Sequence, residues 1–122
     1  MLIVDNDDDV LCALDKVWRE AGYETVTTWS GIEALRLIRS SNFNVLLVDD
    51  YVADMHVGEF LKRASQSLGR TGIFVMQTMP TANCIHFDGS VGPWPLVDKT
   101  NMTEVIRAVH SVGEFDLADG GN

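Results

Sequence analysis

Basic residues are scarce in this chain: nine Lys and Arg stand against eighteen Asp and Glu in 122 residues, a formal net charge of -9. That balance argues against a nucleic-acid-binding surface, which needs clustered cations to displace counterions from phosphates. It fits a basic partner patch or an acidic metal site. Long apolar runs are missing as well. No stretch approaches the roughly 18 apolar residues of a membrane span, and no basic-then-apolar leader precedes the first apolar run. A cytoplasmic location without membrane contact is therefore expected. Only two cysteines occur, Cys12 and Cys84, far apart and in unlike contexts. Cys12 falls within an apolar helical pattern and reads as a reduced core thiol. The three histidines, His56, His86 and His110, show no ligand spacing, so surface or packing roles are expected for them. All three prolines lie between Pro80 and Pro95, which leaves the rest of the chain without its strongest breaker.

What is present is a set of short apolar runs that end in acid. Hydrophobic content of 46% and charged content of 22% suit one globular domain of this length, with a single core. The run Asn44-Val45-Leu46-Leu47-Val48-Asp49-Asp50 reads as a strand buried on both faces of a parallel sheet. Met1-Leu2-Ile3-Val4 is a second such run, leading into Asp5-Asn6-Asp7-Asp8-Asp9. Val10, Leu11, Leu14, Val17, Trp18 and Ala21 then recur at helical spacing, with Asp7 or Asp8 as cap and Gly22 as stop. Tyr23 to Trp29 reads as a strand. Ser30-Gly31-Ile32-Glu33 is a capping box that opens a helix with Ile32, Leu35 and Ile38 inward.

After Asp50, Tyr51 to Val57 is expected to be a loop. A helix over Glu59 to Leu68 follows, with Phe60, Leu61, Ala64 and Leu68 inward, and then a strand over Ile73 to Gln77. Met79 to Pro95 shows no helical period and reads as a loop, or at most one short, irregular helix. Leu96-Val97 is a short strand leading to Asp98-Lys99. Asn101 or Thr100 caps a last helix bearing Met102, Val105, Ile106, Val109 and Val112 on one face, stopped by Gly113. The domain is thus expected over residues 1–113, with an acidic, frayed tail over 114–122. Five strands alternating with helices predict an α/β fold: a flavodoxin-like, doubly wound five-stranded parallel sheet with helices on both faces and the fourth helix short or irregular.

In such a sheet ligands sit outside the carboxyl ends of the strands. Asp5, Asn6, Asp49, Gln77 and Lys99 gather there from distant parts of the chain. Carboxylates and an amide around Asp49 make a hard-oxygen site suited to Mg2+. Lys99 is a point charge able to meet a phosphate. A nucleophilic carboxylate, a magnesium ion and a lysine are the parts needed to accept a phosphoryl group.

On these residues the chain resembles the response regulator receiver domains of two-component signalling. Leu2-Ile3-Val4-Asp5-Asn6-Asp7 matches the family's first acidic block, and Ala21-Gly22-Tyr23-Glu24 its first helix-to-strand joint. Val45-Leu46-Leu47-Val48-Asp49 matches the acceptor strand, Glu59-Phe60-Leu61 the helix behind it, and Lys99 the later lysine. The resemblance runs from Met1 to about Val112. It implies Asp49 as phosphoacceptor, and Asp5, Asn6, Asp49 and the Tyr51 carbonyl as Mg2+ ligands. It further implies Lys99 with Gln77 or Thr78 on the phosphate, a histidine kinase or phosphotransfer protein as donor, and a downstream effector protein. A receiver is a signalling domain and not an enzyme in the ordinary sense, with self-catalysed phosphotransfer and slow autodephosphorylation. By strand phase and loop length Asp49 takes the acceptor role; the spacing to Gly58 would favour Asp50.

The chain departs from the family at Asn6, where a second acid is usual, so magnesium is expected to bind more weakly. It departs also at Ala53 and Thr100, where prolines are usual, at Gln77, where Thr or Ser is usual, and at Leu96, where an aromatic is usual. Asn6, Gln77 and Ala53 keep open a receiver-like interaction module that takes no phosphate. The block from Leu2 to Asp7 also resembles the first motif of haloacid-dehalogenase-type phosphatases, with Asp5 as nucleophile and Asp7 as general acid and base. That family expects its lysine before a later acidic pair, an order reversed here.

Overall fold

The computed structural model describes residues 1–87 and 92–120. In chain order the elements are β1 (Leu2–Val4), α1 (Asp8–Glu20), β2 (Val26–Thr28), α2 (Gly31–Ser40) and β3 (Val45–Asp49). They continue with α3 (Val57–Ser67), β4 (Gly72–Gln77), β5 (Cys84–Ile85), β6 (Trp94–Asp98) and α4 (Met102–Gly120). The strands form one sheet in the order β2-β1-β3-β4-β6-β5. Every pairing is parallel except β5 with β6, which is antiparallel, with Cys84 opposite Pro95 and Ile85 opposite Trp94.

The apolar runs behave as strands with both faces covered. Leu46 and Val48 of β3 join Leu2, Val4 and Val75 in a layer packed by Ala34, Leu35 and Ile38 of α2 and Phe60, Leu61 and Ala64 of α3. Their neighbours Val45 and Leu47 point the other way. With Ile3, Phe74 and Met76 they meet Leu11, Leu14 and Trp18 of α1 and Val105 and Val109 of α4. This period-2 division puts two helices on each face of the sheet. Trp18 is fully buried, with Tyr23 edge-on at 5.2 Å, and Tyr23 in turn lies against His110.

The helix starts follow their capping residues. Asp7 accepts from the N–H groups of Asp9 and Val10, Ser30 from that of Glu33 and Asn101 from that of Glu104. At α3 the cap is His56, whose Nδ1 accepts from the Gly58 N–H at 3.0 Å. Gly22, with φ of 95°, closes α1 in the left-handed conformation that glycine adopts without strain.

Several expectations need correction. Among the described residues the sheet has six strands, not five, because part of the proline-bearing stretch returns as β5 on the edge. A two-residue strand leaves no periodic trace in sequence. No helix lies between β4 and β6 among the described residues; residues 88–91 of that stretch lie outside them. Ile32 is not inward but 64% exposed. The buried face of α2 is Gly31, Ala34, Leu35 and Ile38, the i, i+3, i+4, i+7 stripe, and Ile32 sits one 100° step off it. Cys12 is an exposed free thiol for the same reason, one step beyond Leu11 on α1. Gly113 does not stop the last helix, which runs to Gly120. A single internal glycine costs about 1 kcal/mol relative to alanine, and Glu114, Leu117 and Ala118 after it are good helix formers. The side chain of Val112 and residues 121–122 of the expected tail lie outside the described part.

Candidate functional site

Three strand ends deliver charge to one point at the carboxyl edge of the sheet. Asp5 directly follows β1, Asp49 is the last residue of β3 and Lys99 directly follows β6. Lys99 Nζ lies 2.7 Å from Asp49 Oδ1 and 3.3 Å from Asp5 Oδ2. Both carboxylates are nearly enclosed, with Asp5 1% and Asp49 5% exposed. Burying two acids side by side is costly unless a cation and hydrogen-bond donors meet them, and here both do. The remaining oxygens are taken by backbone: Asp5 Oδ1 accepts from the Asp7 N–H at 3.0 Å, and Asp49 Oδ2 from the Tyr51 N–H at 3.2 Å.

The electrostatics follow from this enclosure. Burial raises the Asp5 carboxyl above its usual range, with the Asp49 charge adding to the effect and the Asp7 N–H and Lys99 opposing it. Burial also pushes against the Lys99 ammonium, but its hydrogen bond to Asp49 and the charges of Asp49 and Asp5 outweigh that and raise it.

Of the other residues singled out from sequence, Tyr51 and Gln77 bond to this centre through their backbone. Gln77, half-buried, ends β4, and its carbonyl accepts the Lys99 N–H at 2.9 Å. Asn6, Tyr51 and Thr78 are exposed. Asp50 is exposed too, its N–H spent on the Met76 carbonyl, so the two adjacent acids have unlike surroundings. Among the described residues no three His, Cys, Asp or Glu side chains group to hold a metal ion. The donors that the structure brings together at the edge are the carboxylates of Asp5 and Asp49. Each carboxylate oxygen has two acceptor sites and only one donor named above, so the set fits a hard cation that keeps several waters.

Two carboxylates that matter here escaped the sequence reading. Asp54, in the loop after β3, accepts from Ser30 Oγ at 2.6 Å and from the N–H groups of Gly31 and Ile32 at 2.8 and 3.4 Å. Burial works to raise its pKa, but these donors at the start of α2 outweigh it and hold the carboxyl below its ordinary range. The loop that carries Tyr51 is thereby tied to a helix start 22 to 24 residues before Asp54, and no local pattern signals that. Asp98 binds Thr100 and Met79. The spacing from Asp98 to Thr100, just before a helix, was the available sign of a side-chain turn.

No protein-family model and no curated protein matches the chain. Solved structures do. The receiver domain of the Francisella response regulator 1452 is 22% identical with a TM-score of 0.76, covering 94% of this chain and 96% of that one. The signal receiver domain of an HD domain-containing protein from Pseudomonas fluorescens is 16% identical with a TM-score of 0.80, covering 99% and 90%. A Burkholderia pseudomallei response regulator with a phosphorylated aspartic acid, calcium ion and citrate is 17% identical with a TM-score of 0.70, covering 97% and 71%. Over most of its length, this chain has the flavodoxin-like fold of response regulator receiver domains.

Proposed function

We propose that the chain is a receiver of a two-component phosphorelay, in which Asp49 takes a phosphoryl group from a histidine kinase or phosphotransfer protein and a downstream effector protein reads the change. The observation that carries this reading is the pairing of two enclosed carboxylates with one lysine at the carboxyl edge of a receiver-type sheet. An Asp49 oxygen forms the new P–O bond while the donor's bond to phosphorus breaks and its electron pair leaves with the donor. Lys99, already on Asp49, holds the oxygens of the transferred group, and Gln77 or Thr78 contacts it. Asp5, Asn6, Asp49 and the Tyr51 carbonyl would hold Mg2+, which offsets the repulsion between carboxylates and incoming phosphate. The chain acts as a cytoplasmic signalling domain, with only self-catalysed transfer and slow autodephosphorylation.

Intact mass after treatment with acetyl phosphate and Mg2+ tests this on the wild type, Asp49→Asn and Asp50→Asn. The wild type and Asp50→Asn gain phosphoryl mass, and Asp49→Asn does not. No gain on any of the three overturns the phosphoacceptor reading. It would favour instead an interaction module that takes no phosphate, for which the observation is Asn6, exposed and uncharged where a third acid would complete the site. The phosphatase alternative is disfavoured because Asp7, its required acid and base, is committed to capping α1.

A further inference from the structure

We propose that Asp98 is a positioning residue that sets the aim of Lys99 and the placement of Thr78 with a single carboxylate oxygen. The inference rests on the receiver reading above and assigns a residue which that reading leaves without a role.

Asp98 closes β6 opposite Gln77. Its Oδ1 accepts from the Thr100 N–H at 2.9 Å, the Thr100 hydroxyl at 2.6 Å and the Met79 N–H at 3.3 Å. The first two bonds form a side-chain turn across Lys99. The Lys99 N–H is held by the Gln77 carbonyl, and the Asn101 N–H by the Asp98 carbonyl, both at 2.9 Å. The backbone on each side of Lys99 is therefore anchored, which directs a long, flexible stem toward Asp49 and Asp5. The third bond reaches across to the turn after β4. Met79 has φ of 49°, a left-handed conformation uncommon for a residue with a side chain, and that side chain is 75% exposed. Such a conformation persists where its surroundings hold it, and Asp98 supplies a hold on its N–H. Thr78 immediately precedes Met79, so the same oxygen that braces Lys99 also fixes where the Thr78 backbone leaves the sheet.

The test compares the wild type, Asp98→Ala, Asp98→Asn and Asp98→Ala with Met79→Gly. The readouts are the rate of phosphoryl uptake from acetyl phosphate with Mg2+ and amide hydrogen exchange at Met79. Asp98→Ala is expected to slow uptake by about tenfold, as small misplacements of a charge-stabilising group do, and to deprotect the Met79 amide. Asp98→Asn keeps an Oδ1 acceptor and recovers most of the rate. Met79→Gly, which takes φ of 49° without strain, recovers part of the rate in the Asp98→Ala background. Uptake by Asp98→Ala at the wild-type rate overturns the assignment, as does Asp98→Asn being equally slow. Should Asp98→Ala not fold, Thr100→Pro removes two of the three donors, the hydroxyl and the N–H: slowed uptake supports the role and an unchanged rate overturns it. Wild type that takes no phosphate defeats the receiver reading instead, and Met79 exchange still tests the Asp98 contact.

Discussion

Lys99 Nζ sits 2.7 Å from Asp49 Oδ1 across 50 positions of sequence. The same ammonium is shared with Asp5, so one cation compensates two enclosed acids. Removing it leaves both without a counter-charge. Lys99→Met, which keeps the apolar stem, is expected to lower stability at neutral pH by about 3 kcal/mol. Adding Asp49→Asn removes one of the two stranded charges and recovers much of the loss. Urea unfolding of the single and double variants checks this, and a Lys99→Met protein as stable as wild type would refute it.

Acid titration separates two carboxylates of opposite sign. Asp54 has a lowered folded pKa, so its contribution is present above the unfolded value of about 3.9 and is lost as pH falls through the folded value. Asp5 has a raised folded pKa, so the cost of charging it in place grows as pH rises from about 3.9 through its folded value. Unfolding free energy measured from about pH 3 to 7 should therefore lose part of its acid limb in Asp54→Asn. In Asp5→Asn it should lose part of its decline above that limb. An unchanged profile in both variants counts against these assignments.

Gly31 is a helix position where alanine is expected to harm. A Cβ there would lie 2.8 Å from Val52 Cγ1 and 2.9 Å from Met55 Cγ and Sδ. Alanine normally gains about 1 kcal/mol over glycine inside a helix. Here Met55 can swing aside but buried Val52 cannot, and overpacking costs about 1–3 kcal/mol. Thermal melting should show Gly31→Ala below wild type and Gly31→Ala with Val52→Ala at least as stable as Val52→Ala alone.

His56 is a weak choice for capping α3, since only its neutral ring can accept the Gly58 N–H. His56→Asp supplies a charged acceptor at the positive end of the helix and should raise stability by about 0.5–1 kcal/mol. His56→Ala should lower it by a similar amount. Equal melting temperatures for the two variants would show that the cap contributes nothing.

Much of the fold was legible because strong local signals agreed. Val45 to Val48 had no polar residue to turn toward water, which read as a two-faced buried strand, and Ser30 with Glu33 marked the start of α2. What failed were inferences that needed the exact helical phase. Ile32 and Cys12 are apolar residues beside a buried stripe, and a 100° step puts them outside. The two-residue β5 had no period to detect. The prolines around it marked an irregular segment without saying where it would pair.

The candidate site divides along the same line. Sequence alone determined that acids and a lysine stand at strand ends, because an apolar run followed by a charge is a local pattern that fixes which edge the charge reaches. Tertiary structure alone decided which of them meet. Lys99 joins Asp5 and Asp49, Asp50 faces water, Asp54 ties its loop to α2, and Asp98 reaches back to Met79. Charges and hydrogen bonds act over a few ångströms in space. The chain separations they bridge here, from 19 to 94 residues, are set by how the sheet orders its strands.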